Sequence, residues 1–240
     1  MFANHLLFVF NTPQHMIPIL FEDNHLLVVE KPVNMPSQAD ESGDRDLLTA
    51  LKEMIKVREQ KPGNVFLGLV HRLDRPVGGV MVFAKTSKAA SRLAQTFQSR
   101  VCQKSYRAVA RGEMKGETRR LVDHLLKDEA TNTVSVVPQG TVFAKEAILE
   151  VTPIQVVQEM SLVHVELFTG RSHQIRVQLA HAGFPLFGDQ KYGSQVNRAG
   201  EQLALWATTL SLPHPTTKEM LTFHSAPPQV FPWNQFSMLC

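Results

Sequence analysis

The sequence contains few cysteines and no long apolar segment, and both scarcities narrow the classes of protein that it can encode. Its 240 residues include only Cys102 and Cys240, which do not form a CxxC pair. A disulfide framework is therefore excluded, a structural zinc site is disfavoured, and a reducing compartment is favoured. No apolar run approaches the roughly 18 residues of a membrane-spanning helix. The N-terminus has neither the basic segment nor the cleavage site of a signal peptide, so the sequence predicts a cytoplasmic protein.

The composition is that of a folded globular protein. Hydrophobic residues make up 43% of the chain and charged residues 20%, which excludes a disordered tail and a collagen-like chain. A chain of this length buries roughly 70% of its unfolded surface, so it needs no metal or disulfide to fold. We expect one domain over residues 1–240 and a monomer without an obligate protein partner.

The positive charge is concentrated in one part of the chain. The net charge is only +3, but residues 71–120 hold 12 Lys and Arg against three Asp and Glu. A basic segment on an otherwise mildly acidic body favours a polyanionic partner, most simply nucleic acid. A solvated helix face would give the same count, and charge alone does not separate the two interpretations.

Hydrophobic spacing predicts a chain with many strands and few helices. Apolar residues with helical spacing follow Asp46, a second helix is expected after a cap at Ser87, and a third runs from a cap at Ser172 through Ala182. An apolar segment at 1–10 is predicted to be a short strand or a packed arm. The other predicted strands are 26–29, 65–70, 80–83, 106–110, 134–137, 147–151 and 162–168.

Asp74 is the first candidate for chemistry, because it lies between Arg72 and Arg75 in a polar connection between two predicted strands. Nearby cations favour an ionised carboxylate, which suits a nucleophile or a base better than an acid. A surface cluster of ion pairs is the alternative. The local sequence is similar to a kinase catalytic loop, but a Gly-rich loop and an Asp-Phe-Gly motif are both missing, which excludes a kinase.

Two further segments carry candidate binding residues. Residues 169–176 lie at a predicted strand-to-helix junction, where backbone N–H groups attract anions and Arg171, His173 and Arg176 add donors. The spacing of histidines and acids matches no metal motif, so no metal is expected. Residues 104–112 place Tyr106 among cations, a pattern that suits base stacking as well as ordinary packing.

Several segments, in order along the chain, together resemble the motifs of the RluA-type pseudouridine synthases. The likeness runs from about residue 19 to residue 223, and its segments are 26–33, 71–86, 169–180, 183–185, 188–193, 203–207 and 214–217. The resemblance implies an α/β domain of the α+β type, with a large mixed but mainly antiparallel sheet, flanking helices and a long cleft. It further implies an enzyme that isomerises uridine in ribosomal or transfer RNA to pseudouridine without a cofactor.

The resemblance also implies roles for individual residues. Asp74, at the floor of the cleft, is the essential carboxylate, which either attacks the sugar or removes its proton. Arg176 pairs with Asp74, Tyr106 stacks on the target base and assists proton removal, and Leu205 packs beneath that base. Arg72 fills the place of the flipped-out uridine, a role that suits a planar guanidinium. Phosphates are held by Arg75, Lys104 and Arg107.

Three departures from the family pattern and two rival functions belong beside this prediction. Gly78 stands where serine is usual, while Gln178 and Trp206 replace histidines that are common in the family. No separate RNA-binding domain is expected before the first motif, so substrate choice would come from the catalytic domain. The first rival is an inactive RNA-binding protein of the same fold. The second is a metal-dependent RNA hydrolase using His71, Asp74 and His173.

Overall fold

The computed structural model describes residues 17–237, which form one eleven-stranded sheet with three α-helices packed against it. The apolar segment predicted at 1–10 lies outside the described residues. The helices are α1 (Leu47–Arg58), α2 (Ser87–Gln98) and α3 (Gln174–His181). The strands are β1 (Ile19–Glu22), β2 (Leu26–Lys31), β3 (Gly68–Leu69), β4 (Gly78–Ala84), β5 (Gln103–Arg111), β6 (Arg119–Asp128), β7 (Thr133–Val137), β8 (Lys145–Val157), β9 (Met160–Leu167), β10 (Leu205–Pro213) and β11 (Met220–His224).

The sheet is mixed but mainly antiparallel, as predicted. Its strand order is β1-β2-β4-β10-β5-β9-β8-β6-β7, with β3 paired to β4 and β11 paired to β10. Among the described strands, only β4 and β10 pair in parallel, with Trp206 opposite Gly78 and Ala207 opposite Gly79. A Cβ on Gly79 would lie 2.2 Å from the carbonyl oxygen of Ala207, so this close pairing requires glycine. The parallel pair joins two segments that are 128 positions apart in the sequence.

The first two helices follow from capping and apolar spacing. Asp46 accepts the N–H of Thr49 and begins α1, whose buried residues include Leu47, Leu51 and Ile55. The cap predicted at Ser87 is wrong by one position, because Thr86 accepts the N–H of Ala89 and begins α2. Thr86 has the extended backbone of a capping residue, whereas Ser87 is already helical.

The start of the third helix also differs from the prediction. The N-cap of α3 is His173 in a left-handed conformation, with φ of 52°, and its side chain caps no N–H group. Ser172 is therefore not the cap. Instead, the side chain of Gln174 accepts the N–H of Arg171 and the hydroxyl of Thr169, which fixes the strand-to-helix junction from inside the helix. Gly183, with φ of 87°, follows the end of the helix as predicted.

The core lies on both faces of the sheet. Leu47, Leu51 and Ile55 of α1 pack with Met81 and Phe83 of β4 on one face. On the opposite face, Ala89 and Leu93 of α2 pack with Val80 and Val82, because neighbouring residues of a strand point to opposite faces. Farther along that face, the core contains Trp206, Trp233 and Phe236.

Several strands differ from the prediction. The expected strand at 65–70 is reduced to β3, although Val65 and Leu67 are buried in the core. The sequence pattern does not predict strands β1, β6 and β11, and β10 overlaps the motif segment 203–207 rather than a predicted strand. The other predicted strands are confirmed, most of them with longer bounds. None of the helices within residues 17–237 is long and apolar enough to cross a membrane.

Candidate active site

A cleft of about 580 Å³ brings together most of the candidate residues. Asp74 enters it from the loop before β4, and Arg176 from α3. It is also lined by Arg72, Lys104, Tyr106, Arg171, His173 and Leu205. Arg72 and Leu205, which are 133 positions apart in the sequence, therefore share one concave surface, which is the usual form of an active site.

The loop that carries Asp74 is held by three side chains from distant parts of the chain. The Lys31 ammonium donates to the carbonyls of Arg75 and Val77 at 3.0 and 2.8 Å. Ser37 donates its hydroxyl to the carbonyl of Leu73 at 2.8 Å, and Gln202 donates its amide to the carbonyl of Pro76 at 2.8 Å. These bonds fix the backbone on both sides of Asp74, and such support is what a positioned catalytic group needs.

Lys31 itself is fully buried, which is rare for a lysine. Burial lowers the pKa of Lys31 to about 7, against the opposing influence of the Asp74 carboxylate. A third carbonyl, that of Pro32, accepts from the same nitrogen at 2.8 Å. Three carbonyl acceptors match the three donors of an ammonium group, so this geometry favours the charged form.

Arg176 is buried, and its principal partner is Asp189 rather than Asp74. Two parallel hydrogen bonds of 2.8 Å join its Nε and Nη2 to the Asp189 carboxylate, while its Nη1 lies 3.5 Å from Oδ2 of Asp74. Burial opposes ionisation of Asp189, but the bonds from Arg176 outweigh it and keep the pKa of Asp189 below its ordinary value. Arg176 therefore makes two ionic contacts, and the predicted contact with Asp74 is the longer of them.

His173 faces Asp74 from the other side. Its Nε2 lies 3.9 Å from Oδ2 of Asp74, and its Nδ1 lies 2.6 Å from the hydroxyl of Tyr192. That hydroxyl accepts the N–H of Val134 at 2.9 Å, so its own proton is free for Nδ1. Burial lowers the pKa of His173, although Asp74 opposes the shift, and the lowered pKa favours a neutral ring. Because Nδ1 accepts the Tyr192 proton, the single ring hydrogen is on Nε2.

Tyr106 lies on β5 with its side chain in the cleft. Its hydroxyl has no hydrogen-bond partner among residues 17–237, so it is free to meet a ligand. Burial and the neighbouring Asp74 carboxylate raise the pKa of Tyr106, which keeps its phenol protonated at neutral pH. The side chain is thus a flat neutral ring beside a carboxylate, an arrangement suited to stacking on a base.

Two of the predicted phosphate-binding residues lie outside the cleft. Arg107 follows Tyr106 on the same strand and pairs in register with His164, so it points to the opposite face of the sheet. Arg75 forms an ion pair with Asp44, which lies in the loop between β2 and α1. Lys104 and Arg171 do line the cleft, and so does Arg72, which is exposed and has no ionic partner among the described residues.

Sequence reasoning did not assign roles to the partners of the site residues. Asp189 and Tyr192 lie in the quoted segment 188–193, and Lys31 lies in the first motif, so all three were visible as motif positions. Their contacts are nevertheless long-range: Lys31 is 44 positions from Arg75 along the chain. A sequence pattern without a fold gives no means of pairing such residues.

The histidines and acids of the cleft do not form a metal-binding arrangement. Over residues 17–237, no group of three or more His, Cys, Asp or Glu side chains is placed to hold a metal ion. The Nε2 atom of His71 accepts the backbone N–H of Val82 at 3.0 Å, so it is not available as a ligand. This contact weighs against the hydrolase that would use His71, Asp74 and His173.

Comparison with known proteins identifies the family. The sequence profile of the RNA pseudouridylate synthase family matches residues 25–181, which is more than half of the chain. The tRNA pseudouridine synthase C of Haemophilus influenzae is 32% identical over 225 residues, covering 86% of this chain and 91% of that protein. The ribosomal large subunit pseudouridine synthase D of the same organism is 34% identical over 232 residues, covering 89% of this chain and 68% of that protein.

Solved structures agree on the fold. Human RNA pseudouridylate synthase domain containing 4 superposes with a TM-score of 0.74 at 23% identity, covering 88% of this chain and 89% of that one. Human RNA pseudouridylate synthase domain containing 1 gives a TM-score of 0.70 at 22% identity, covering 90% of this chain and 85% of that one. The predicted architecture is thereby confirmed.

Proposed function

Because the chain belongs to the RNA pseudouridylate synthase family and is an RNA pseudouridine synthase, we propose that it isomerises a flipped-out uridine in ribosomal or transfer RNA, with Asp74 as the essential carboxylate. Relatives named for transfer RNA and for the large ribosomal subunit support this choice of substrates. The observation that carries the proposal is the Asp74 carboxylate in the cleft, 3.5 Å from the buried guanidinium of Arg176.

The reaction makes specific demands on the site. The bond between N1 of uracil and C1′ of the ribose breaks, the base turns, and C5 forms the new bond to C1′. The proton lost from C5 is balanced by the proton gained at N1, so the step needs no oxidant, reductant or group donor. It needs an ionised carboxylate next to the sugar, which either attacks C1′ or removes a sugar proton. The Arg176 guanidinium lies 3.5 Å from the Asp74 carboxylate and faces it across the cleft.

The remaining residues bind and orient the substrate in this proposal. A stacked uridine must leave the helix to reach Asp74, at a cost of a few kcal/mol. Arg72 is exposed beside the cleft and occupies the vacated place in the RNA. Tyr106 stacks on the flipped base, and Leu205 packs beneath the same base. Because Tyr106 is protonated at neutral pH, its hydroxyl accepts the C5 proton only as it passes its own proton onward.

The test is an assay for pseudouridine in bulk ribosomal and transfer RNA incubated with the wild-type protein and with Asp74→Asn. Wild type should form pseudouridine, and Asp74→Asn should lose at least a thousandfold in kcat while it still binds RNA and keeps its thermal stability. If wild type forms none on any of these RNAs, the proposed function is wrong. If Asp74→Asn remains active, the assignment of the carboxylate is wrong.

A second variant separates base flipping from chemistry. Arg72→Ala should reduce kcat/KM on a stem-loop substrate by roughly tenfold or more, and by much less when the target uridine is already unstacked in a single strand. Equal losses on both substrates would contradict the flipping role. Arg198→Ala, which removes an exposed arginine away from the cleft lining, provides the control.

A further inference from the structure

The cleft extends beyond the residues that the isomerisation uses. From Asp74, Tyr106 and Arg176 it continues toward the C-terminal end of α2, where Phe97 and Gln98 line it together with Arg100. Phe168 and Arg171 also line the cleft. This second half of the cleft has its own cations and its own aromatic surface, and no step of the reaction accounts for them.

Lys104 is a cation without a counter-ion in this half of the cleft. Its side chain is half-buried, and among residues 17–237 its ammonium has no acceptor within hydrogen-bond distance. It lies over the backbone of Gly170, where an added Cβ would come within 3.1 Å of Nζ. Burial lowers the pKa of Lys104, and the neighbouring Arg171 lowers it further. Two cations held together without an anion favour the binding of one.

Arg171 is positioned to share that anion. Its Nε donates to the carbonyl of Glu146 at 2.8 Å, which holds the guanidinium in place without neutralising it. No carboxylate within the described part of the chain pairs with its remaining N–H groups. A positioned guanidinium beside an ammonium is a combination suited to a phosphate group.

An aromatic pair lies in the same half of the cleft. The rings of His71 and Phe97 are stacked, with centroids 4.7 Å apart and planes 19° from parallel, and both residues line the cleft. Burial lowers the pKa of His71 to about 3, so its ring is neutral. Because Nε2 accepts the N–H of Val82, the ring hydrogen is on Nδ1. The pair offers a flat surface and one fixed donor.

We propose that this half of the cleft is a subsite for the nucleotide next to the target uridine, with one flanking phosphate on Lys104 and Arg171 and the neighbouring base against His71 and Phe97. The subsite rests on the proposed function, since it is defined relative to a uridine at Asp74. Lys104 and Tyr106 share one face of β5 two residues apart, which separates them by about 6.6 Å along the strand. That distance places a flanking phosphate, rather than the target base, over Lys104. The subsite makes the neighbouring nucleotide a determinant of substrate choice.

The test of the phosphate contact uses a short RNA containing one uridine that wild type converts. Each phosphate around that uridine is replaced in turn by an uncharged methylphosphonate, and KM and kcat are measured for wild type and Lys104→Met. In wild type, one flanking replacement should raise KM roughly tenfold, the loss expected for one charged hydrogen bond. In Lys104→Met, KM should already be raised by a similar factor, and that same replacement should add nothing. Lys104→Arg should restore most of the affinity.

The outcomes separate the subsite from the proposed function. If wild type forms no pseudouridine on any RNA, the proposed function fails first. If wild type is active but no single flanking methylphosphonate raises its KM, the phosphate subsite is wrong, whatever the folding of the variant. The phosphate subsite is also wrong if the effect of every methylphosphonate on KM simply adds to the effect of Lys104→Met. Lys115→Met, at an exposed lysine of the β5–β6 turn, is the control and should leave KM unchanged.

The base contact has a separate readout. An abasic nucleotide on the same side of the target as the sensitive phosphate should lower kcat/KM of wild type by about fivefold or more, within the range for one stacked base. The same abasic RNA should be nearly equivalent to the intact RNA for Phe97→Leu, which removes the ring. If Phe97→Leu retains the full preference for an intact base, the neighbouring base does not bind at this surface.

Discussion

At the scale of single residues, Asp189 determines where the guanidinium of Arg176 lies. The pair is buried and joined by two hydrogen bonds of 2.8 Å, and Asp189 also accepts the backbone N–H groups of Lys191 and Tyr192. A buried ion pair adds little net stability, but removing one partner leaves an uncompensated charge in the protein interior. Asp189 thus holds in place the guanidinium that faces Asp74.

Asp189→Asn should lower the free energy of unfolding by about 3 kcal/mol, because Arg176 loses its buried counter-ion. It should also lower kcat, since Arg176 is then free to turn toward Asp74. Urea unfolding and the pseudouridine assay measure the two effects. Asp40→Asn, at an exposed turn, should change neither. A stable and fully active Asp189→Asn protein would show that Arg176 needs no second carboxylate.

The same pair predicts a pH dependence of stability. The pKa of Asp189 in the folded protein lies below its ordinary value of 3.8, despite burial, because of the bonds from Arg176. Its contribution is therefore complete above the pKa of the unfolded chain and is lost as pH falls through the lower folded value. The difference in unfolding free energy between wild type and Asp189→Asn should shrink on acidification below pH 4. A constant difference down to pH 2 would contradict this sign.

The sequence was informative about which residues line the cleft and uninformative about what holds them. Asp74, Tyr106 and Arg176 were found from motifs and do line one cleft. The hydrogen bonds from Lys31 to the loop of Asp74 were not predicted. The sequence does not show whether a lysine is buried against backbone carbonyls or exposed to solvent. Arg107 was predicted to hold phosphates because it belongs to the basic segment, whereas the alternation of β5 places it on the face of the sheet opposite Tyr106.

At the scale of secondary-structure elements, Gly78 and Trp206, which in the sequence are two separate departures from the family pattern, form one contact. A Cβ on Gly78 would lie 2.2 Å from the indole of Trp206, which is its partner in the parallel pair of β4 and β10. The indole N–H donates to Ser225 at 2.9 Å, and the Ser225 hydroxyl donates to Glu30 at 2.5 Å. The larger residue at 206 thus requires the smallest one at 78.

Gly78→Ser should destabilise the protein by about 2–3 kcal/mol, because the added atoms meet a well-packed ring. Combining it with Trp206→His should cost at least 1 kcal/mol less than the sum of the two single changes, which urea unfolding of all four proteins would measure. Gly63→Ser is the control, since no heavy atom lies within 4 Å of its added Cβ. Strict additivity would mean that residues 78 and 206 are not energetically coupled.

Elements were predictable where local chemistry and burial agree. Helix α1 was predicted because apolar residues follow Asp46 at helical spacing, and the structure shows that Asp46 also caps the helix. Strand β6 was missed because its inward residues include Asp123, which accepts the amide of Gln178 and so breaks the apolar alternation. The strand predicted at 65–70 was too long because Val65 and Leu67 are buried by side-chain packing, whereas only Gly68 and Leu69 form strand pairs.

At the scale of the whole molecule, the basic segment found in the sequence supplies many of the charges around one cleft. Arg72, Arg100 and Lys104 come from residues 71–120, and Arg171 joins them from the loop before α3. None of the four has a carboxylate partner among the described residues. Cations that are not neutralised by the protein are available to RNA phosphates.

These four cations predict the salt dependence of RNA binding. If each contacts one phosphate of a single-stranded target, log Kd should rise with log salt concentration with a slope of about 3. Titration of a labelled RNA with the Asp74→Asn protein between 50 and 300 mM salt would measure this slope. Lys104→Met should reduce the slope by roughly 0.7, whereas Lys115→Met should leave it unchanged. A slope near zero would exclude phosphate contacts as the basis of affinity.

The parallel pairing of β4 with β10 has a consequence for how the protein is made. Asp74 and Tyr106 are synthesised before β10, the strand that lies in the sheet between β4, which follows Asp74, and β5, which carries Tyr106. Until residues 205–213 have been synthesised, one edge of β4 and one edge of β5 remain unpaired, and Leu205 is missing from the cleft. Such long-range closure is slow and leaves strand edges open to mispairing. The site therefore cannot form before residues 205–213 have been synthesised, and a fragment that contains Asp74, Tyr106 and Arg176 but stops before residue 205 should be inactive.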